Sequence, residues 1–121
     1  MGNMEYNLIM ISGVGIDLVD LNRFKRYINR SSHFKSRLFS PAEHLLSDSQ
    51  LAGNYAAKEA LFKASSIEFD FSKCSVLRDK KGKPFIAFDY DIITYEKLSI
   101  FVSITNNQQY SVAMVLLETK Q

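Results

Sequence analysis

The chain has 121 residues, 46% of them hydrophobic, and its 15 Lys and Arg against 13 Asp and Glu give a net charge of +2. That balance predicts one domain over residues 1–121 with a single core. It excludes a disordered polyelectrolyte and a chain whose net charge alone would hold nucleic acid.

Residues 8–16 (LIMISGVGI) are apolar and rich in branched side chains, which predicts a buried strand. The stretch is too short to span a bilayer and lacks the basic leader and small-residue cleavage site of a secretory signal. No membrane association is expected. Asp20 is placed to cap a helix running to about residue 30. On that helix Leu21, Phe24 and Ile28 share one face, and Arg23, Arg26 and Arg30 share the opposite one. Residues 31–48 hold two short helical candidates. The second opens at Ser40-Pro41-Ala42-Glu43, where Ser40 caps, Pro41 takes the first helical position and Glu43 completes a capping box.

Residues 50–64 (QLAGNYAAKEALFKA) predict the strongest helix, alanine-rich, free of β-branched residues and apolar enough all round to be largely buried. Strands at 73–78 and 84–88 flank a polar turn, Asp79-Lys80-Lys81-Gly82-Lys83. Residues 90–97 read as a short helix or loop. Strands at 99–105 and 110–117 form a hairpin across Asn106-Asn107-Gln108-Gln109. The fold class is α+β, with N-terminal helices packed on an antiparallel sheet. Cys74 is the sole cysteine, expected half-buried in a strand. No intrachain disulfide can form, which fits a reducing, cytoplasmic setting.

Two segments could carry chemistry. Gly13-Val14-Gly15-Ile16-Asp17 ends a strand in a carboxylate, with glycines that allow another backbone or a ligand to come close. By itself Asp17 reads equally as a turn or cap. In Ala57-Lys58-Glu59-Ala60-Leu61-Phe62-Lys63-Ala64, Glu59 and Lys63 are four apart and share a helix face. Such a pair is commonly a surface ion pair. In so apolar a setting it also suits a metal-phosphate site, since Mg2+ takes one or two carboxylates and fills its octahedron with waters and phosphate oxygens. Residues 22–40 hold six Arg or Lys and no acid, a solvated basic face or a dock for an acidic partner.

Taken together, GVGIDLVDLNRF, RLFSPAE, LAGNYAAKEALFKA, DKKGKP and FVSIT…YSVAMVLLE resemble the holo-(acyl-carrier-protein) synthase family of 4'-phosphopantetheinyl transferases, in the family's order and over residues 11–118. The resemblance implies transfer of the phosphopantetheine arm of coenzyme A to a serine of an apo acyl carrier protein, in fatty acid synthesis. It implies Mg2+ held by Asp17 and Glu59, with Lys63 beside the phosphates as the third catalytic residue. Glu59 or a metal-activated water would be the base. It also places Lys58, Lys63, Gly82, Lys83, Pro84 and Asn106 around the coenzyme, and Arg23, Arg26 and Arg30 against the acidic carrier protein. It further implies a homotrimer with sites at subunit junctions.

Three positions depart from the family pattern. Asn54 stands for an Arg, Asn106 for a His, and Ser65-Ser66-Ile67 for a Gly-Thr-Gly turn. These departures predict a weakened grip on the coenzyme's phosphates. The other reading they leave is a degenerate member that binds a carrier protein without catalysis.

Overall fold

The computed structural model describes residues 9–89 and 98–120, so the expected element at 90–97 falls outside it. Strand β1 (Ile9–Asp20) leads into helix α1 (Leu21–Ile28), then α2 (Ser32–Leu38), a single 3-10 turn (Pro41–Glu43) and the long helix α3 (Asp48–Ser65). A second 3-10 turn, Phe71–Lys73, precedes β2 (Cys74–Arg78), β3 (Pro84–Phe88), β4 (Leu98–Asn106) and β5 (Tyr110–Lys120). Among the described residues all pairings are antiparallel, in two sheets, β1-β5-β4 and β2-β3.

Local chemistry sets these boundaries. The Asp20 carboxylate accepts from the Arg23 backbone N–H and starts α1. Ser47 and Gln50 form a reciprocal capping box at the start of α3. In the β2-β3 hairpin the Asp79 carboxylate accepts from the N–H groups of Lys81 and Lys83, while Gly82 takes φ +85°, which a glycine tolerates without strain. Where the family's glycine turn would stand, Ser66 ends α3 in the left-handed region at φ 57°.

Helix α3 lies across the three-stranded sheet. Its inward residues Ala52, Ala56, Ala57 and Ala60 are fully buried, so the helix comes close to the strands. The glycines of β1 make this possible, because a Cβ on Gly13 or Gly15 would run into the backbone carbonyls of Ala64 or Ala60. The core also includes Leu21, Phe24, Ile28, Phe39, Leu51, Leu61, Val76, Val102, Val115 and Leu117.

The first strand differs from expectation. Only Gly15 and Val19 of β1 are buried, while Val14, Ile16 and Leu18 are 56–61% exposed. Strand side chains alternate, and α3 covers one face only. On the other face Val14, Ile16 and Leu18 stand beside Met114 of β5 and near Phe101 of β4, an apolar surface left open in the single chain.

Candidate active site

The alternation that leaves Ile16 outside turns Asp17 inward, on the same face as Gly15 and Val19. There it meets α3. Lys63 Nζ donates to Asp17 Oδ1 at 2.9 Å and to the Ile16 carbonyl at 3.0 Å, and the Asp17 side chain is only 17% exposed. Glu59 lies one helical turn earlier on the same stripe and is half-buried. The expected partnership of Glu59 with Lys63 is thus not the ion pair that forms: Lys63 reaches across to the strand.

Asp17 and Glu59 line one cavity of about 480 Å3, together with Asp20, Arg23, Phe24, Tyr27 and Tyr55. Oxygen ligands, a cationic neighbour and room for a polyanion come together here. The Tyr55 hydroxyl has its pKa raised by burial first and by the Glu59 charge second, so it stays protonated. Arg23 also lines a smaller groove of about 240 Å3 with Arg26, Tyr27 and Arg30. The helix ends at Ile28, yet Arg30 still contributes to that groove. The basic face therefore runs directly up to the carboxylates.

The model of the 4'-phosphopantetheinyl transferase superfamily matches residues 13–115, which include every residue named in this cavity. The chain belongs to this superfamily. It is 36% identical to the holo-(acyl-carrier-protein) synthase of Bacillus velezensis, over 90% of this chain and 97% of that protein. It is similar, with a TM-score of 0.76 and 30% identity, to a crystal structure of a holo-(acyl-carrier-protein) synthase from Bacillus anthracis in complex with CoA (3',5'-ADP); the match covers 91% of this chain and 98% of that one. The Helicobacter pylori holo-(acyl-carrier-protein) synthase in complex with coenzyme A gives the same TM-score at 27% identity, over 86% and 98%.

Within this transferase fold, the residues expected around the coenzyme divide. Lys63 adjoins the cavity through its ion pair with Asp17. Gly82, Lys83 and Pro84 do not: Lys83 and Pro84 line a separate cavity of about 330 Å3 with Asp79, Phe85 and β4 residues Ile100, Phe101 and Val102. Strand β5 separates β4 from β1, so that cavity lies two strand spacings, about 10 Å or more, from Asp17. Asn106 closes β4 beside the start of α3, where its amide donates to Ser49 Oγ at 3.3 Å. One copy does not bring these residues to the carboxylates.

Lys58 requires a correction. Its ammonium is fully buried, and its three N–H donors are all used: 2.6 Å to Glu43 Oε1, 2.8 Å to the Leu38 carbonyl and 2.9 Å to the Phe71 carbonyl. It has no donor left for a coenzyme. Asn54 is also an inside residue, 1% exposed, with its amide donating to Glu43 Oε2 at 2.8 Å and to the Val76 carbonyl at 3.1 Å. Where the resemblance expects an Arg, Asn54 is thus spent inside the fold.

Glu43 escaped sequence reasoning. Its capping role with Ser40 is present, but the same carboxylate also accepts from Asn54, Lys58 and the Val76 N–H. Partners 11 to 33 residues away leave no local signal. Tyr55 did carry one, since it stands four residues before Glu59 on the stripe that ends at Lys63.

Proposed function

We propose that this chain transfers the 4'-phosphopantetheine group of coenzyme A to a serine hydroxyl of an apo acyl carrier protein, in fatty acid synthesis in the cytoplasm. The observation that carries the proposal is the convergence of Asp17 from β1 and Glu59 from α3 at one cavity, with Lys63 of α3 paired to Asp17 beside it, inside the segment matched by the transferase superfamily.

The residues fit Mg2+. Asp17 and Glu59 offer hard oxygen ligands, and Asp17 already holds a cation, the Lys63 ammonium. Among the described residues no cluster of three or more His, Cys, Asp or Glu exists, which suits an ion that completes its octahedron with water and phosphate. When bound, Mg2+ neutralises charge on the pyrophosphate. The chain's own residues do the rest. The serine oxygen forms a bond to the phosphorus bearing pantetheine, and the bond from that phosphorus to 3',5'-ADP breaks. The leaving group takes the electron pair and meets the Lys63 ammonium, a donor for developing negative charge. The serine proton passes to Glu59, the carboxylate that Lys63 does not engage. No nucleophile from the enzyme is needed. Burial pushes the Cys74 thiol up to about 12 and keeps it out of the chemistry.

The basic groove of Arg23, Arg26 and Arg30 receives the acidic carrier and delivers its serine along the side that Arg23 shares with the cavity. A homotrimer belongs to the same proposal. Gly82, Lys83, Pro84 and Asn106 reach a donor bound at Asp17 only from a neighbouring copy. The uncovered apolar face of β1 offers surface for a symmetric assembly to bury. The test is incubation with coenzyme A, Mg2+ and an apo carrier protein, followed by mass spectrometry of the carrier. A gain of one phosphopantetheine is expected. Carrier binding without that gain would leave the non-catalytic reading in its place.

A further inference from the structure

Tyr55, Glu59 and Lys63 follow one another at four-residue intervals on α3, so they form one stripe. The Tyr55 ring is braced from two directions. Its centroid lies 5.6 Å from that of Phe24 on α1 and 6.0 Å from that of Phe71 in the segment after α3. Phe71 stacks in turn on Phe69 at 4.9 Å, and Phe69 meets Phe88 of β3 edge-on at 5.9 Å. A tyrosine side chain has two torsions between backbone and ring, so bracing the ring fixes where its hydroxyl stands. That side chain lines the same cavity as Asp17 and Glu59, and from one helical turn away it lies within the field of the Glu59 charge, which raises its hydroxyl pKa.

We propose that Tyr55 is a positioning residue for Glu59. Its O–H donates to the Glu59 carboxylate and holds it in the one orientation that shares a divalent cation with Asp17. The aromatic chain Phe24–Tyr55–Phe71–Phe69–Phe88 supplies the rigidity, anchored on α1 at one end and β3 at the other. The inference rests on the proposed assignment of Asp17 and Glu59 as the Mg2+ pair. Groups that hydrogen-bond to metal ligands in this way typically contribute about 10- to 100-fold in metal affinity.

Tyr55→Phe tests it, because the ring and its aromatic contacts are kept and only the hydroxyl is lost. Mn2+ serves as the probe, its binding followed by electron paramagnetic resonance with coenzyme A present. Wild type, Tyr55→Phe and Glu59→Gln are titrated side by side, and urea unfolding confirms that each is folded. Binding by wild type, its loss in Glu59→Gln and a roughly 10- to 100-fold weaker affinity in Tyr55→Phe are expected. The Mg2+ concentration for half-maximal rate should rise in parallel. Wild-type Mn2+ affinity in Tyr55→Phe overturns the positioning role while leaving the metal pair intact. Equal Mn2+ behaviour of wild type and Glu59→Gln overturns the metal pair, and the inference with it.

Discussion

Lys58 and Glu59 are adjacent in sequence and about 100° apart around α3, and they lead to opposite kinds of site. On the Lys58 side every charge is spent. The ammonium has three acceptors, and Glu43 accepts from Ser40, Asn54, Lys58 and the Val76 backbone, tying α2, the first 3-10 turn and β2 to α3. On the Glu59 side the charges are half-open. Asp17 and Lys63 pair at 2.9 Å with Lys63 half exposed, and a cavity stands in front of them. The same residue types, Lys with Asp or Glu, serve as mortar where their lone pairs and protons are all used. They can bind a ligand where some are left over.

The strongest way to break that contrast is to remove one member from the saturated side. Lys58→Ala leaves Glu43 charged and unpaired in the core and should lower stability by about 3–5 kcal/mol. Replacing both members by apolar residues, Glu43→Leu with Lys58→Met, should recover only part of that loss: no charge is then left buried, but the Asn54 amide, the Val76 N–H and the Leu38 and Phe71 carbonyls lose a partner. Urea unfolding measures both. A loss below about 1 kcal/mol for Lys58→Ala would mean that the cluster is not the clamp described.

On the open side the consequence is reversed. Asp17→Asn is nearly isosteric and touches an ion pair whose lysine is 50% exposed, so its stability should change by about 1 kcal/mol or less. Transfer to the carrier should fall by about 100-fold or more, as expected for a group that stabilises charge in the transition state. A variant that unfolds and loses activity in proportion would place Asp17 with the mortar.

The same contrast explains what could be read from sequence. Helix α3, the capping box at Ser40 and Glu43, the hairpin at Asp79 and the split of α1 into apolar and basic faces all have local causes, a period or a turn residue. The meeting of Asp17 and Glu59 at one cavity was legible because a specific motif paired them, while Lys63's choice of Asp17 over Glu59 was not: it depends on β1 crossing α3 at Gly13 and Gly15. The inward turn of Lys58 and Asn54 went unread for a related reason. Their partner Glu43 lies 11 and 15 residues away in sequence, and nothing in a list of residues shows which side of a buried helix a lysine faces. The exposure of β1 was misread because its apolar character is real while α3 covers one face only.

A smaller effect sharpens the boundary between docking and chemistry. Arg23 lines both the cavity and the basic groove, whereas Arg26 and Arg30 line the groove alone. Arg30→Glu should raise the Michaelis constant for the carrier protein by roughly tenfold at low salt and leave that for coenzyme A unchanged. The effect should shrink as ionic strength rises, since exposed charges are screened beyond about 10 Å at 0.1 M. Arg23→Glu should disturb both constants. Equal effects on both substrates from Arg30→Glu would remove the groove from partner binding.

The smallest expected difference appears in the pH dependence of the saturated side. Cys74 opens β2, is fully buried within the field of Lys58 and Glu43, and burial raises its thiol from 9.0 to about 12. In the unfolded chain the thiol ionises near its ordinary value. Between about pH 9 and 12 the folded protein therefore holds a proton that the unfolded chain has released, so this contribution is complete below pH 9 and is lost as pH rises. Lys58 acts in the opposite sense, because burial lowers its pKa and the unfolded chain then holds more protons. The absolute slope mixes the two, so the informative quantity is the difference in unfolding free energy between wild type and Cys74→Ala. That difference should be flat from pH 7 to 8. It should then fall by about 1 kcal/mol between pH 9 and 10, since each unit of full protonation difference is worth about 1.4 kcal/mol and the unfolded thiol is only partly ionised at the start of that range. Urea unfolding at each pH measures it. A difference that stays flat through pH 10.5 would mean that the thiol reaches water, and the packing of β2 over the Lys58–Glu43 cluster would then be looser than the contacts around Glu43 require.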